Sequence, residues 1–272
     1  MSSTTVMLIG LLAVPTLVSL FGFWPVSERR VARFAMRYGV SLTRDTRPVI
    51  SAYLARTSRW RACGGAIGWL AAGAFTSGSG YYYFLGAAGY LAGALAAEAG
   101  TSLPMPEGRR RAALTARGPG ESLTWWARWG PVLIVAALGV HTWIYQVWPK
   151  AGSAEVSPSR VVLDLAGIGL ATAVLWLSCR FVVMRPRPVR AVDLDEADDG
   201  IRASALHTIS GASLALMCLA ALDAMWAMLL DLDAPEPFNW ITSVLGFAML
   251  LAALYSWFGL RTRPRPALSG PA

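Results

Sequence analysis

Long apolar runs recur along this chain, and arginine-rich segments separate them. A lipid-embedded backbone must satisfy all its polar groups internally, so such runs can fold only as helices or as closed barrels. Stretches of about 17–25 apolar residues suit a helix that crosses a bilayer. Seven candidates are found, at residues 6–24, 62–77, 80–97, 129–148, 161–184, 206–230 and 239–260. The predicted fold is therefore all-α: a polytopic membrane helix bundle of about seven transmembrane helices, forming one integral membrane domain over residues 1–272. Composition agrees. The chain is 55% hydrophobic and only 15% charged, with 12 tryptophans, whereas soluble domains carry about 25% charged residues. The first run lacks a basic leader and a clean small-x-small cleavage site, so it reads as a retained helix and not as a signal peptide.

Arginine placement predicts the orientation. Of the 24 basic residues only Lys150 is lysine. Nine arginines fall in 25–61 and five in 98–128, four follow the fifth run, and three follow the seventh. Those 21 positions share one side of the bundle, and only Lys150 and Arg160 stand on the other. Positively charged loops stay in the cytoplasm, which puts the N-terminus outside and the C-terminus inside. The arginine bias, beside abundant Ala, Gly and Pro, suits a high-GC bacterial genome and so a bacterial plasma membrane. Because the charges lie between apolar runs and not on one compact domain, the expected partner is the lipid bilayer and not nucleic acid.

Several local patterns refine this picture. Runs two and three are short and glycine-rich, so a re-entrant hairpin is the alternative to two crossings. Gly64-x-x-x-Gly68 and Gly89-x-x-x-Gly93 offer small faces for close helix approach. Trp24, Trp125, Trp126, Trp129, Trp148 and Trp240 sit at run ends, where an interfacial aromatic belt is expected. Arg29, Arg30, Arg33 and Arg37 recur at helical spacing around Val31, Phe34 and Ala35. That pattern reads as a basic amphipathic helix on the inner leaflet, or simply as a topology signal. The segments WLSCRFVVMRPRPV and WFGLRTRPRPA echo one another, through duplication or through repeated stop-transfer chemistry.

Chemistry-bearing motifs are scarce. The sequence has no phosphate-binding loop, no zinc-type cluster and no nucleophile elbow. Two histidines cannot supply the paired ligands of a multi-haem cytochrome. No cofactor or metal is expected, and catalytic residues are unknown. Cys63, Cys179 and Cys218 read as small buried residues. Asp193, Asp195, Glu196, Asp198 and Asp199 form an acidic cytoplasmic loop, solvated by default and with spacing that would suit a divalent cation. Ionisable groups within a bilayer are costly and usually functional. His141 and Asp223 fall roughly 10 Å below the outer surface, and Asp164 about 5–6 Å, counting 1.5 Å per residue. The three form a polar intramembrane layer, as a cation, proton or substrate site or as an interhelical hydrogen bond.

The run DDGIRASALH at 198–207, the Arg-Pro-Arg-Pro ends and the loop at 109–117 resemble a group of actinobacterial multi-spanning membrane proteins. Members of that group are often encoded near GntR-type regulators and ABC-transporter ATPases. The resemblance covers roughly the second half of the chain and implies no catalytic residue. Together these features point to a non-enzymatic subunit or accessory of a transport system, with an ABC-type ATPase as cytoplasmic partner. The alternatives are an intramembrane enzyme acting on a lipid or isoprenoid, with His141 and Asp223 as acid and base, and a regulatory or immunity protein.

Overall fold

The computed structural model describes residues 22–75, 81–100, 124–147, 158–184, 192–230 and 236–259, together with 16, 20, 110–111 and 187–188. Seven helices are defined among them: α1 (Glu28–Tyr38), α2 (Thr46–Phe75), α3 (Tyr81–Ala99), α4 (Trp125–Val147), α5 (Pro158–Met184), α6 (Val192–Leu230) and α7 (Glu236–Leu254). A π-helical turn, Tyr255–Gly259, extends α7. Two short strands, β1 (Arg110–Arg111) and β2 (Arg187–Pro188), pair antiparallel and join two of the arginine-rich connections.

Four of these helices are long and apolar enough to cross a membrane, over Trp125–Ile144, Leu165–Met184, Asp193–Trp226 and Asn239–Phe258. They correspond to the last four runs of the sequence reading. The first run, 6–24, lies almost wholly outside the described residues. The second is not a separate helix: it is the apolar end of α2, whose earlier part carries Arg47, Arg56, Arg59 and Arg61. The third is α3, whose apolar part, Phe84–Ala99, falls short of a full crossing. Among the described residues, the last six of the seven expected spans thus become four clear ones and a shorter hairpin, because charge enters α2 and α3 is brief.

The bundle is organised around α6. Of its apolar stretch 83% is buried, against 33% for α4 and 28% each for α5 and α7. The outer helices turn Val132, Val140, Leu170, Leu177, Val244 and Phe247 outwards. Soluble monomers rarely expose contiguous apolar patches beyond a few hundred Å². An outer ring of bulky apolar side chains around a buried central helix is the arrangement that lipid favours.

At 39 residues α6 is about 58 Å long, roughly twice the hydrocarbon thickness. It begins fourteen residues before the predicted span and absorbs the acidic segment read as a solvated loop. Asp193 and Asp195 stand in its first turn, where carboxylates suit the positive end of the helix dipole. Ala197 and Ile201 face inwards. The helix therefore serves two cores. The larger one, with Ile134, Leu138, Ile168, Leu175, Leu214 and Met217, joins α3, α4, α5 and α7 to its apolar portion. The smaller one unites Val31, Phe34 and Tyr38 of α1, Ile50 and Tyr53 of α2, and Ala197 and Ile201 of α6.

The apolar face of α1 is consumed by this second core, which corrects the expectation that it lies on the leaflet. Its arginines at 29, 30 and 33 face outwards instead. Gly39 ends α1 in the left-handed conformation (φ 64°), and Val40 N–H donates back to Ala35 O at 3.0 Å. The chain then enters α2 through reciprocal bonds, Thr43 N–H to Thr46 Oγ1 at 2.9 Å and Thr46 N–H to Thr43 Oγ1 at 3.3 Å, a capping box with threonine in place of glutamate.

The paired glycine motifs do what their spacing suggests. A Cβ on Gly64 would collide with Gly89 O, on Gly68 with Leu85 O, on Gly89 with Gly64 O and on Gly93 with Trp60 O. The backbones of α2 and α3 touch directly along this seam.

Candidate functional site

The densest polar chemistry lies where α1, α2 and α3 meet the first half of α6. Residues Ile50, Tyr53, Leu54 and Thr57 recur on one buried face of α2, and Arg61 follows one turn on. Tyr53 O–H donates to Glu98 Oε1 at 3.0 Å, and both residues are only 5% exposed. Ser204 of α6 hydrogen-bonds the same phenol. Burial pushes the Tyr53 hydroxyl above its ordinary range, and the Glu98 carboxylate pushes it further; Arg61 and Ser204 offset only part of this. For Arg61, burial opposes the charge, yet Tyr90, Tyr53 and Glu98 outweigh it and raise its pKa. Arg30 is lowered, first by burial and then by the neighbouring Arg61. Tyr90 also meets Trp257 in the π-helical turn, with ring centroids 4.4 Å apart and the planes tilted by 51°.

The run at 198–207 forms the turns of α6 that pass this junction. Arg202 Nε donates to Asp198 Oδ2 at 2.7 Å, in a nearly buried i,i+4 pair, while Arg202 Nη1 reaches Val182 O in the last turn of α5 at 3.4 Å. An arginine on terminal carbonyls both caps them and matches the negative end of that helix. A Cβ on Gly200 would press on Val40 and Tyr38, so a larger residue would hold α1 away. Glu196 Oε2 accepts from Ser41 Oγ at 3.1 Å. His207 lies 6.0 Å from Tyr38, centroid to centroid, and the Arg37 guanidinium lies 5.6 Å from the same Tyr38 ring.

The three residues of the sequence-predicted layer stand on α4, α5 and α6. His141 on α4 is fully buried, and its Nε2 lies 3.0 Å from Thr242 Oγ1 on α7. The sequence had not suggested this hydroxyl as a partner. At 0% exposure His141 meets no substrate unless α4 and α7 move apart. Asp223 is half-buried on α6. Asp164 stands near the start of α5, with its side chain outside the described residues. Of the five acids considered as a cation site, Asp198 is committed to Arg202. Among the described residues no three His, Cys, Asp or Glu side chains gather to hold a metal. Cys179 and Cys218 are buried and free, and Cys63 is half-buried. Trp24, Trp125, Trp129 and Trp240 are exposed as a belt requires. Trp126 departs from it: its Nε1 donates to Ser256 Oγ at 2.8 Å. Trp148 lies outside the described residues.

Sequence reasoning missed Tyr53, Arg61 and Glu98. The available signals were the helical recurrence of 50, 53, 54, 57 and 61, and one acid in the last turn of an otherwise apolar helix. Comparison with protein-family models, with curated proteins and with solved structures returns no match.

Proposed function

We propose that the chain is a seven-span protein of the bacterial plasma membrane, with its N-terminus outside and its C-terminus in the cytoplasm, acting as a non-enzymatic subunit or accessory of a transport system. The single observation that carries this reading is the unbroken α6, which runs from the lipid-embedded core into the junction with α1 and α2. A rigid rod shared by two cores transmits movement between a membrane bundle and whatever docks on its extension. Beside that extension, α1, the start of α2 and the turn between them present exposed Arg29, Arg33, Arg44 and Arg47, which suits an acidic surface on a cytoplasmic partner such as an ABC-type ATPase.

The test is purification of the full chain from its native host in mild detergent, with bound proteins identified by mass spectrometry. A nucleotide-binding protein should co-purify, and its recovery should fall when Arg29, Arg33, Arg44 and Arg47 are replaced by Gln together. Recovery of this chain alone across several detergents overturns the proposal, as does recovery that the quadruple variant leaves unchanged.

A further inference from the structure

Buried nitrogens that find no acceptor among the described residues lie at and beside the contact of α1 with α6. Arg37 buries Nε and Nη2, His207 buries Nδ1, and Arg61 on the adjoining helix buries Nε. The nearby acids are engaged: Glu98 by Tyr53, Asp198 by Arg202, and Glu196 by Ser41. Arg30 and Arg33 add further positive charge from α1. Native structures leave few buried polar groups unsatisfied, and an unseen ion or ligand is a usual explanation for those that are.

The geometry of the unsatisfied atoms is informative. Nε and Nη2 form the edge of a guanidinium that grips two oxygens of one anion through parallel hydrogen bonds. A phosphate has further oxygens for the imidazole, which donates from Nδ1 when the proton sits there. The exposed face of α2 changes from Arg56 and Arg59 through Trp60 to Ile67 and Leu70, marking the edge of the apolar zone. Tyr53, which bonds Ser204 one turn from His207, is seven residues before Trp60, about 10 Å. The donors therefore lie close to headgroup level.

We propose that the Nε–Nη2 edge of Arg37, together with His207, binds the phosphate group of a ligand between α1 and α6, carried by an anionic lipid headgroup or by a soluble phosphate compound. This proposal does not depend on a transport role.

The full chain, stripped of lipid in detergent, is melted in sodium phosphate and in sodium chloride of equal ionic strength. In a second arm it is melted in phosphatidylcholine vesicles with and without phosphatidylglycerol. A Tm rise of about 2–4 °C or more is expected in one arm. A rise with inorganic phosphate identifies a soluble phosphate ligand. A rise confined to phosphatidylglycerol identifies a lipid headgroup. Arg37→Gln should abolish the rise, and Arg29→Gln, an exposed arginine of the same helix, should keep it. No rise in either arm overturns the site, and so does equal loss in both variants. Should Arg37→Gln fail to fold, Arg37→Lys and His207→Asn decide. The lysine keeps the charge without the edge, so a full rise in both of these variants refutes the assignment.

Discussion

A phenol held by a buried carboxylate gives the junction a signature in pH. Tyr53 is raised above its ordinary value of 10.0, mainly by burial and then by Glu98. A raised acid contributes stability that is complete below the unfolded value and lost as pH climbs above it. Wild type should therefore lose up to about 1.4 kcal/mol per pH unit above pH 10 on this account. Tyr53→Phe should be less stable at neutral pH by about 1–3 kcal/mol, since the buried Tyr53–Glu98 hydrogen bond is lost, yet should fall less steeply in alkali. Parallel unfolding curves for the two proteins between pH 9 and 11 would remove Tyr53 from this role. The residue scale is also where sequence reading was weakest. His141 was legible as a costly polar group in an apolar run, but its partner Thr242, 101 residues away, was not. A hydroxyl that also satisfies itself within a helix carries no mark of which neighbour it will meet.

Among the elements, the α2–α3 hairpin was the most legible in its parts and the least legible in its extent. The glycine spacing announced close approach, and the backbones do meet at Gly64, Gly68, Gly89 and Gly93. Gly64→Ala should cost about 1–3 kcal/mol, because its Cβ meets fixed backbone and not a movable side chain. Gly86→Ala is the internal control. Its Cβ would lie 3.5 Å from Trp69 Cε3, an ordinary contact, so it should be neutral or stabilising by about 0.4–1 kcal/mol. Thermal unfolding in detergent distinguishes them, and equal losses would mean that the seam is not tight. The boundaries of α2 and α6 escaped prediction for one shared reason. Charge marked where lipid ends, and a helix need not end there. Arg56, Arg59 and Arg61 ride on a helix that starts at Thr46, and the acids of 193–199 open a helix that runs on to Leu230.

For the whole molecule, the proposed orientation, which would put 21 basic residues on the cytoplasmic side, makes a prediction of its own. A cytoplasm-active reporter fused after Ala272 should be bright and a periplasm-active one silent, while a periplasm-active reporter placed within 149–160 should be active. The reverse pattern would invert the proposed orientation. By itself the sequence determined that the chain is helical, that it carries apolar stretches of membrane-crossing length, and that its arginines separate them. Those properties are imposed locally, since lipid requires each segment to satisfy its own backbone and to match the hydrocarbon thickness. Only the tertiary structure decided that α6 is the buried axis, that α1 spends its apolar face on protein, and that Tyr53, Glu98 and Ser204 meet at one junction. Tyr53 meets Glu98 across 45 residues, Ser41 meets Glu196 across 155, and Trp126 meets Ser256 across 130. Such pairings depend on which helix faces which, and periodicity within one helix records the width of its buried face without naming the neighbour that covers it.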